Sequence, residues 1–145
     1  MNKILIHEVG PRDGLQSYPL RLGIAKRVEL IENLADAGLR HIEVGAFVNP
    51  KQVPNMGGSN LVYEKVSHLP CELSVLIPNQ RGMDVAKNID VEFVNIFFSH
   101  SEEFNRRNLG CELKDIVEKY RLMLEGFPKE NVRVYLSCIF GCPFT

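Results

Sequence analysis

Residues 8–16 read Glu8-Val9-Gly10-Pro11-Arg12-Asp13-Gly14-Leu15-Gln16, so a guanidinium, a carboxylate and an amide stand within five positions directly after an apolar run. Out of context, an adjacent Arg and Asp make a solvated ion pair or a turn device. At the carboxyl end of a parallel strand, where α/β proteins keep their chemistry, Arg12 and Asp13 read instead as part of a site. Gly10 and Gly14 permit close backbone approach. Gln16, from this loop, and Glu43, from the next apolar run, are able to face the same mouth. Two carboxylates and a guanidinium there would suit an oxyanion and a divalent metal, since an oxygen donor such as Asp13 selects hard cations like Mg²⁺ or Mn²⁺.

Such ions need more than one carboxylate, and the histidines do not supply the remainder on this reading. His7 lies within the first strand, His41 begins the second and His68 ends a helix on the far face, all read as structural or solvated; His100, just past the fourth strand, is better placed. Cys138 and Cys142 have no second Cys or His pair at zinc spacing, so they read as buried or pocket-lining thiols with no catalytic role. Cys71 and Cys111 likewise read as reduced thiols.

The elements that must position these residues follow from periodicity. Residues 4–9 form a short buried strand, and Ile24, Val28, Ile31, Leu34 and Ala35 recur at helical spacing until Gly38. Residues 41–44 form a second strand, followed by a Gly-, Pro- and Asn-rich loop over 45–59 and a helix over 61–68. A third strand over 72–76 ends at Pro78-Asn79 and leads to a weak helix over 80–88. The fourth, over 92–98, is a dense apolar run of the kind covered on both faces. Leu113, Ile116, Val117, Tyr120, Leu124 and Phe127 make the clearest helical stripe, and Val132 opens a fifth strand to Leu136. Five strands and four helices in βα order fit an open doubly wound sheet or the opening of a (β/α)₈ barrel, which typically takes about 250 residues.

At 145 residues, 45% apolar and 24% charged, the chain has the composition of one globular domain. A net charge of −1 gives no bulk case for nucleic acid or an anionic membrane, and no apolar run has membrane-spanning length. The amino terminus, broken by His7 and Glu8, is too short an apolar run for a signal peptide, so a cytoplasmic protein is expected.

Residues 8–16, Ile42-Glu43-Val44-Gly45-Ala46-Phe47-Val48, Pro50-Lys51, Val53-Pro54-Asn55-Met56-Gly57 and Ser137-Cys138-Ile139-Phe140-Gly141-Cys142-Pro143-Phe144 resemble the hydroxymethylglutaryl-CoA lyase family over the whole chain. Arg-Asp-Gly alone is shared with the related Claisen-type synthases; Leu15-Gln16 and the Cys-x₃-Cys-Pro segment resemble the lyase branch. The resemblance implies the amino-terminal part, residues 1–145, of a single pyruvate carboxyltransferase-like TIM-barrel domain: an incomplete (β/α)₈ barrel with strands one to five and four helices. It implies metal-assisted retro-Claisen cleavage of a 3-hydroxy-3-methylacyl-CoA to acetyl-CoA and a ketone such as acetoacetate. Asp13 would hold Mg²⁺ or Mn²⁺, Arg12 would stabilise the thioester enolate, and Gln16 and Glu43 would orient substrate or metal-bound water. Residues 101–108, read as a loop end, also resemble the family, with Arg106 and Asn108 as contacts to the acyl-CoA.

The family's His-x-His pair on the seventh strand, its Asn near the eighth and its late Gly-rich loop with a mobile cysteine have no counterpart here. His100 stands where the family usually has a small residue, and Gln52 where an aromatic is common. The chain alone is therefore expected to be inactive, and to be a homo-oligomer or to need the missing carboxyl-terminal half. Alternatives are a Claisen-type synthase, a non-catalytic half-barrel that joins a partner, and an open doubly wound domain, the last disfavoured because no Gly-x-Gly-x-x-Gly fingerprint is present.

Overall fold

The computed structural model describes residues 4–145. Five strands lie side by side in chain order: β1 (His7–Glu8), β2 (His41–Ala46), β3 (Glu72–Leu76), β4 (Phe93–Ser99) and β5 (Val132–Ser137). All neighbours are parallel. Helices α1 (Ile24–Asp36), α2 (Ser59–Val66) and α3 (Gln80–Asn88) fill the first three crossovers, and α4 (Glu102–Leu109) with α5 (Leu113–Met123) fills the fourth. Sequential parallel order with helical crossovers is the architecture of a (β/α)₈ barrel, of which this open, curled sheet is an incomplete part.

Helix α4 is one more than the four expected, and it occupies residues read from the sequence as a loop. Its signals are all local: the Ser101 hydroxyl accepts the Phe104 N–H, Glu102 and Glu103 sit in the first turn, and Arg106 and Arg107 sit in the last. With few apolar positions, it shows no stripe for periodicity to find.

The faces of the sheet differ. Ile42, Val44, Leu73, Val75, Ile77, Val94 and Ile96 point outward into the helices and pack with Ile31, Val62, Met83 and Ile116 in the main core. The inner face carries His41, Glu43, Glu72, Ser74, Asn95 and Arg133, with Leu76, Phe97 and Tyr135 nearer the carboxyl ends. The fourth strand is thus not apolar on both faces, because Asn95 projects inward from the middle of its run.

Strand β1 is shorter than expected, pairing through only His7 and Glu8, and Ile4, Leu5 and Ile6 are exposed where a buried strand was expected. Among the described residues β1 has a neighbour on one side only, so an extended run there has no second ladder to hold it. The signal-peptide reading rests partly on residues 1–3, which lie outside the described residues. No helix of the described residues is long and apolar enough to cross a membrane.

Candidate active site

Pro11 stands in the first turn of a wide, π-type helical turn over Gly10–Gly14 directly after β1, in which the Val9 carbonyl accepts the N–H groups of both Arg12 and Asp13. The turn swings Arg12 over the inner face of β2. There Arg12 Nε donates to Glu43 Oε2 at 2.6 Å, while Nη1 donates to Asp13 Oδ1 at 2.6 Å. Glu43 is 2% exposed and Asp13 64%, so one carboxylate is buried and the other faces solvent. The second oxygen of Glu43 accepts from Asn95 Nδ2 at 2.7 Å, and the same amide nitrogen donates to Ser74 Oγ at 3.0 Å. Among the described residues Arg12 Nη2 has no hydrogen-bond partner, which leaves its donors available at the mouth.

Of the residues singled out by sequence, the structure therefore brings together Arg12, Asp13 and Glu43. Gln16 is exposed in the same loop; its backbone carbonyl, with those of Leu15 and Tyr18, accepts from Asn55 Nδ2 at 3.3, 2.9 and 2.8 Å. Asn55 thus clamps the segment that follows the Arg12 turn. Arg106 and Asn108 lie on α4, exposed; Arg106 pairs with Glu103 at 3.2 Å and Asn108 donates to the Phe104 carbonyl at 2.9 Å. His100 is also exposed. Cys138 and Cys142 are half-buried rather than buried, and the Ser101 hydroxyl, 3.0 Å from Cys142 Sγ, is the main cause that draws this thiol below its ordinary pKa.

A cleft of about 940 Å³ opens beside this mouth, between the loops after β2 and β3, lined by Phe47, Asn49, Lys51, Gln52, Asn79 and Arg81. It does not include Arg12, Asp13 or Glu43. Its wall is held from beneath by Arg27 on α1, a fully buried side chain that donates to the Gly57 carbonyl at 3.0 Å and to Ser59 Oγ at 2.8 Å. Gly45 is required at this crossing: a Cβ there would stand 2.5 Å from Ser59 Oγ and 3.0 Å from Arg27 Nη2.

Beneath Glu43, the inner face continues as a polar column. Arg133 Nη1 lies 3.5 Å from Asn95 Oδ1, and its Nη2 donates to Glu72 Oε1 at 2.8 Å. At the foot, His41 Nδ1 stands 3.1 Å from Glu72 Oε2, and the His7 and His41 rings are 4.7 Å apart. Burial alone would raise the Glu72 carboxyl, but its contacts with Arg133 and His41 outweigh that and hold it below its ordinary value. Desolvation, then the charges of Arg133 and His41, lower the His7 imidazole. His7, His41 and Glu72 offer donor atoms within 4.8 Å of one another and could together hold a divalent metal ion. Reading His7 and His41 as merely structural or solvated missed this grouping; the parallel register His7↔His41↔Glu72 creates it.

At the mouth, the donor type fits a hard divalent cation, because Asp13 Oδ2 is an exposed carboxylate oxygen with no protein partner among the described residues. Glu43 does not add a ligand, since both its oxygens are engaged.

A family model described as HMGL-like matches residues 3–141. A 3-hydroxy-3-isohexenylglutaryl-CoA/hydroxy-methylglutaryl-CoA lyase of Pseudomonas aeruginosa is 41% identical over 145 residues, covering 98% of this chain and 48% of its own length. The crystal structure of a hydroxymethylglutaryl-CoA lyase from Pseudomonas aeruginosa superposes with a TM-score of 0.90 at 40% identity, covering 98% of this chain and 48% of that one. An HMG-CoA lyase from Acinetobacter baumannii, solved in complex with coenzyme A and 3-methylmalate, superposes with a TM-score of 0.87 at 29% identity, covering 97% and 47%. The chain spans about half the length of the curated relatives it matches.

Proposed function

The chain belongs to the HMGL-like family, and on that premise we propose that within a complete barrel it carries the enolate-stabilising half of a carbon–carbon lyase site, which cleaves 3-hydroxy-3-methylglutaryl-CoA to acetyl-CoA and acetoacetate. The observation that carries this reading is Arg12, held between a buried and an exposed carboxylate with Nη2 left without a protein partner among the described residues. In a retro-Claisen cleavage the C3 hydroxyl loses its proton, the adjacent C–C bond breaks to leave a ketone, and the electron pair moves onto the thioester oxygen as an enolate. Protonation at carbon then yields acetyl-CoA. A guanidinium aimed at that oxygen stabilises charge that exists only as the bond breaks.

Glu43 acts through Arg12. Its buried carboxylate, fixed by Asn95, pins Nε and so sets the plane of the guanidinium. Asp13 would hold the cation, Mg²⁺ or Mn²⁺, with further ligands from outside this chain's mouth; when bound, such an ion polarises the substrate's hydroxyl and carbonyl oxygens. Gln16, exposed beyond the turn, would orient substrate. For the acyl-CoA itself, Arg106 and Asn108 present a cation and an amide on the exposed surface of α4. Completion of the barrel, by further chain or by a second copy, belongs to this reading.

The test is to assay the protein as its cell makes it with 3-hydroxy-3-methylglutaryl-CoA and Mg²⁺ or Mn²⁺, following acetoacetate. A parallel assay offers acetyl-CoA and a 2-oxo acid. Cleavage that is lost on chelation supports the proposal. Condensation in the second assay would make the protein a Claisen-type synthase, and silence in both would leave a non-catalytic barrel segment.

A further inference from the structure

The cluster at the foot of the strands lies at the end of the sheet away from the Arg12 turn, and its donors are of a different kind. His7, His41 and Glu72 come from the first residues of three adjacent strands and are paired in register, so the sheet itself sets their spacing. His41 Nδ1 is buried and, although 3.1 Å from Glu72 Oε2, has no hydrogen-bond partner among the described residues. A buried nitrogen without a partner destabilises the fold unless something pairs with it. Glu72 divides its oxygens: Oε1 accepts from Arg133 at 2.8 Å, and Oε2 turns toward the two rings.

We infer that His7, His41 and Glu72 form a second cation site, at the amino-terminal ends of β1, β2 and β3, that takes a borderline transition ion such as Zn²⁺. Two imidazoles and one carboxylate match the ligand preference of Zn²⁺, Co²⁺ or Ni²⁺ and not that of Mg²⁺, which wants oxygen. Tetrahedral ligation with bonds of about 2.0 Å sets donors roughly 3.3 Å apart, so the three donors, all within 4.8 Å of one another, would draw together on binding an ion. Arg133 would serve as the outer partner that fixes the carboxylate. The consequence is mechanical: among the described residues β1 is held to the sheet by two residue pairs, and an ion shared by His7, His41 and Glu72 would staple it there. This inference does not depend on the lyase reading.

The test uses the protein as its cell makes it, stripped with chelator and titrated with ZnCl₂ in excess Mg²⁺, so that oxygen-ligand sites are filled. Zinc at the foot is expected to weaken roughly a hundredfold in His7→Ala and about tenfold in Arg133→Met and to stay unchanged in Asp13→Asn, which removes only the ion held at the mouth. Because His7 is exposed, its removal leaves the core intact; circular dichroism checks this. Co²⁺ substitution should give the intense d–d bands of a tetrahedral nitrogen–oxygen site in the parent and none in His7→Ala. Equal zinc affinity in parent and His7→Ala, or no zinc bound by the parent, overturns the inference.

Discussion

At the carboxyl ends of the strands a guanidinium lies between two carboxylates; at the amino ends a carboxylate lies between a guanidinium and two imidazoles. The group in the middle decides what each end attracts. Above, Arg12 is the shared partner and its spare Nη2 donors suit an oxyanion. Below, Glu72 is shared and its spare lone pairs, beside an unpartnered His41 nitrogen, suit a cation. Asn95 joins the two, donating upward to Glu43 from Nδ2 and facing Arg133 with Oδ1. A primary amide, with donor and acceptor on one planar group, can face a carboxylate on one side and a guanidinium on the other.

Removing the middle group of the upper end should have the largest effect. Arg12→Ala is expected to lower kcat of the complete enzyme about 10²–10³-fold, the usual consequence of losing one aimed donor to a developing oxyanion. Binding of Zn²⁺ at the foot should stay unchanged. If the two functions fall together, the ends are not independent and the comparison breaks.

The next largest effect separates the ends physically. Asn95→Leu strips a donor from Glu43 and from Ser74 inside a fully buried site, and should cost about 2–3 kcal/mol in urea unfolding. Asn95→Asp should cost more, because it sets a second carboxylate against Glu43. Equal unfolding midpoints for parent and Asn95→Leu would show that the column is polar without being coupled.

These ends were unequally legible in the sequence. The upper one is written in consecutive residues: a strand, Pro11 to set the turn, then Arg12 and Asp13, with Glu43 at the matching point of the next strand. Local patterning was enough, as it was for β3 and α3, whose observed bounds match those read from periodicity. The lower end depends on register. His7, His41 and Glu72 are more than thirty residues apart and meet only because three parallel strands start level. Asn95 and Arg133 were hidden for a related reason. A polar residue inside an apolar run marks the inner face of a barrel only once the partner strands are known. Helix α4 was missed because its evidence is capping and charge, not an apolar stripe.

A smaller effect sharpens the upper end. Asn55→Ala removes three bonds to the backbone of residues 15–18, near the surface, and should cost about 1 kcal/mol. Its mark should be faster proteolysis after Leu15 and a raised KM with kcat little changed, since Arg12 keeps its own anchors. A fall in kcat as deep as that of Arg12→Ala would mean that the clamp, not Glu43, positions the guanidinium.

The smallest effect is a pH dependence of stability from the lower end, measured in chelator-stripped protein. His7 titrates at about 6.5 when unfolded and lower when folded, chiefly through desolvation and then through Arg133 and His41. Below pH 6.5 the unfolded chain therefore binds the proton first, and stability falls with pH until the folded imidazole also protonates. Glu72 has a folded pKa below its ordinary 4.5, because Arg133 and His41 outweigh its burial. Its stabilisation is complete above 4.5 and is lost as pH falls through the folded value, so both windows have the same sign. His7→Asn should flatten the upper window alone. Glu72→Gln should abolish the lower one and widen the upper, since the Glu72 charge is what raises His7 against its other neighbours. Urea midpoints that coincide for parent and His7→Asn between about pH 7 and pH 5 would show that the imidazole stays solvated, and that the foot of the sheet lacks the electrostatic coupling that distinguishes it from the mouth.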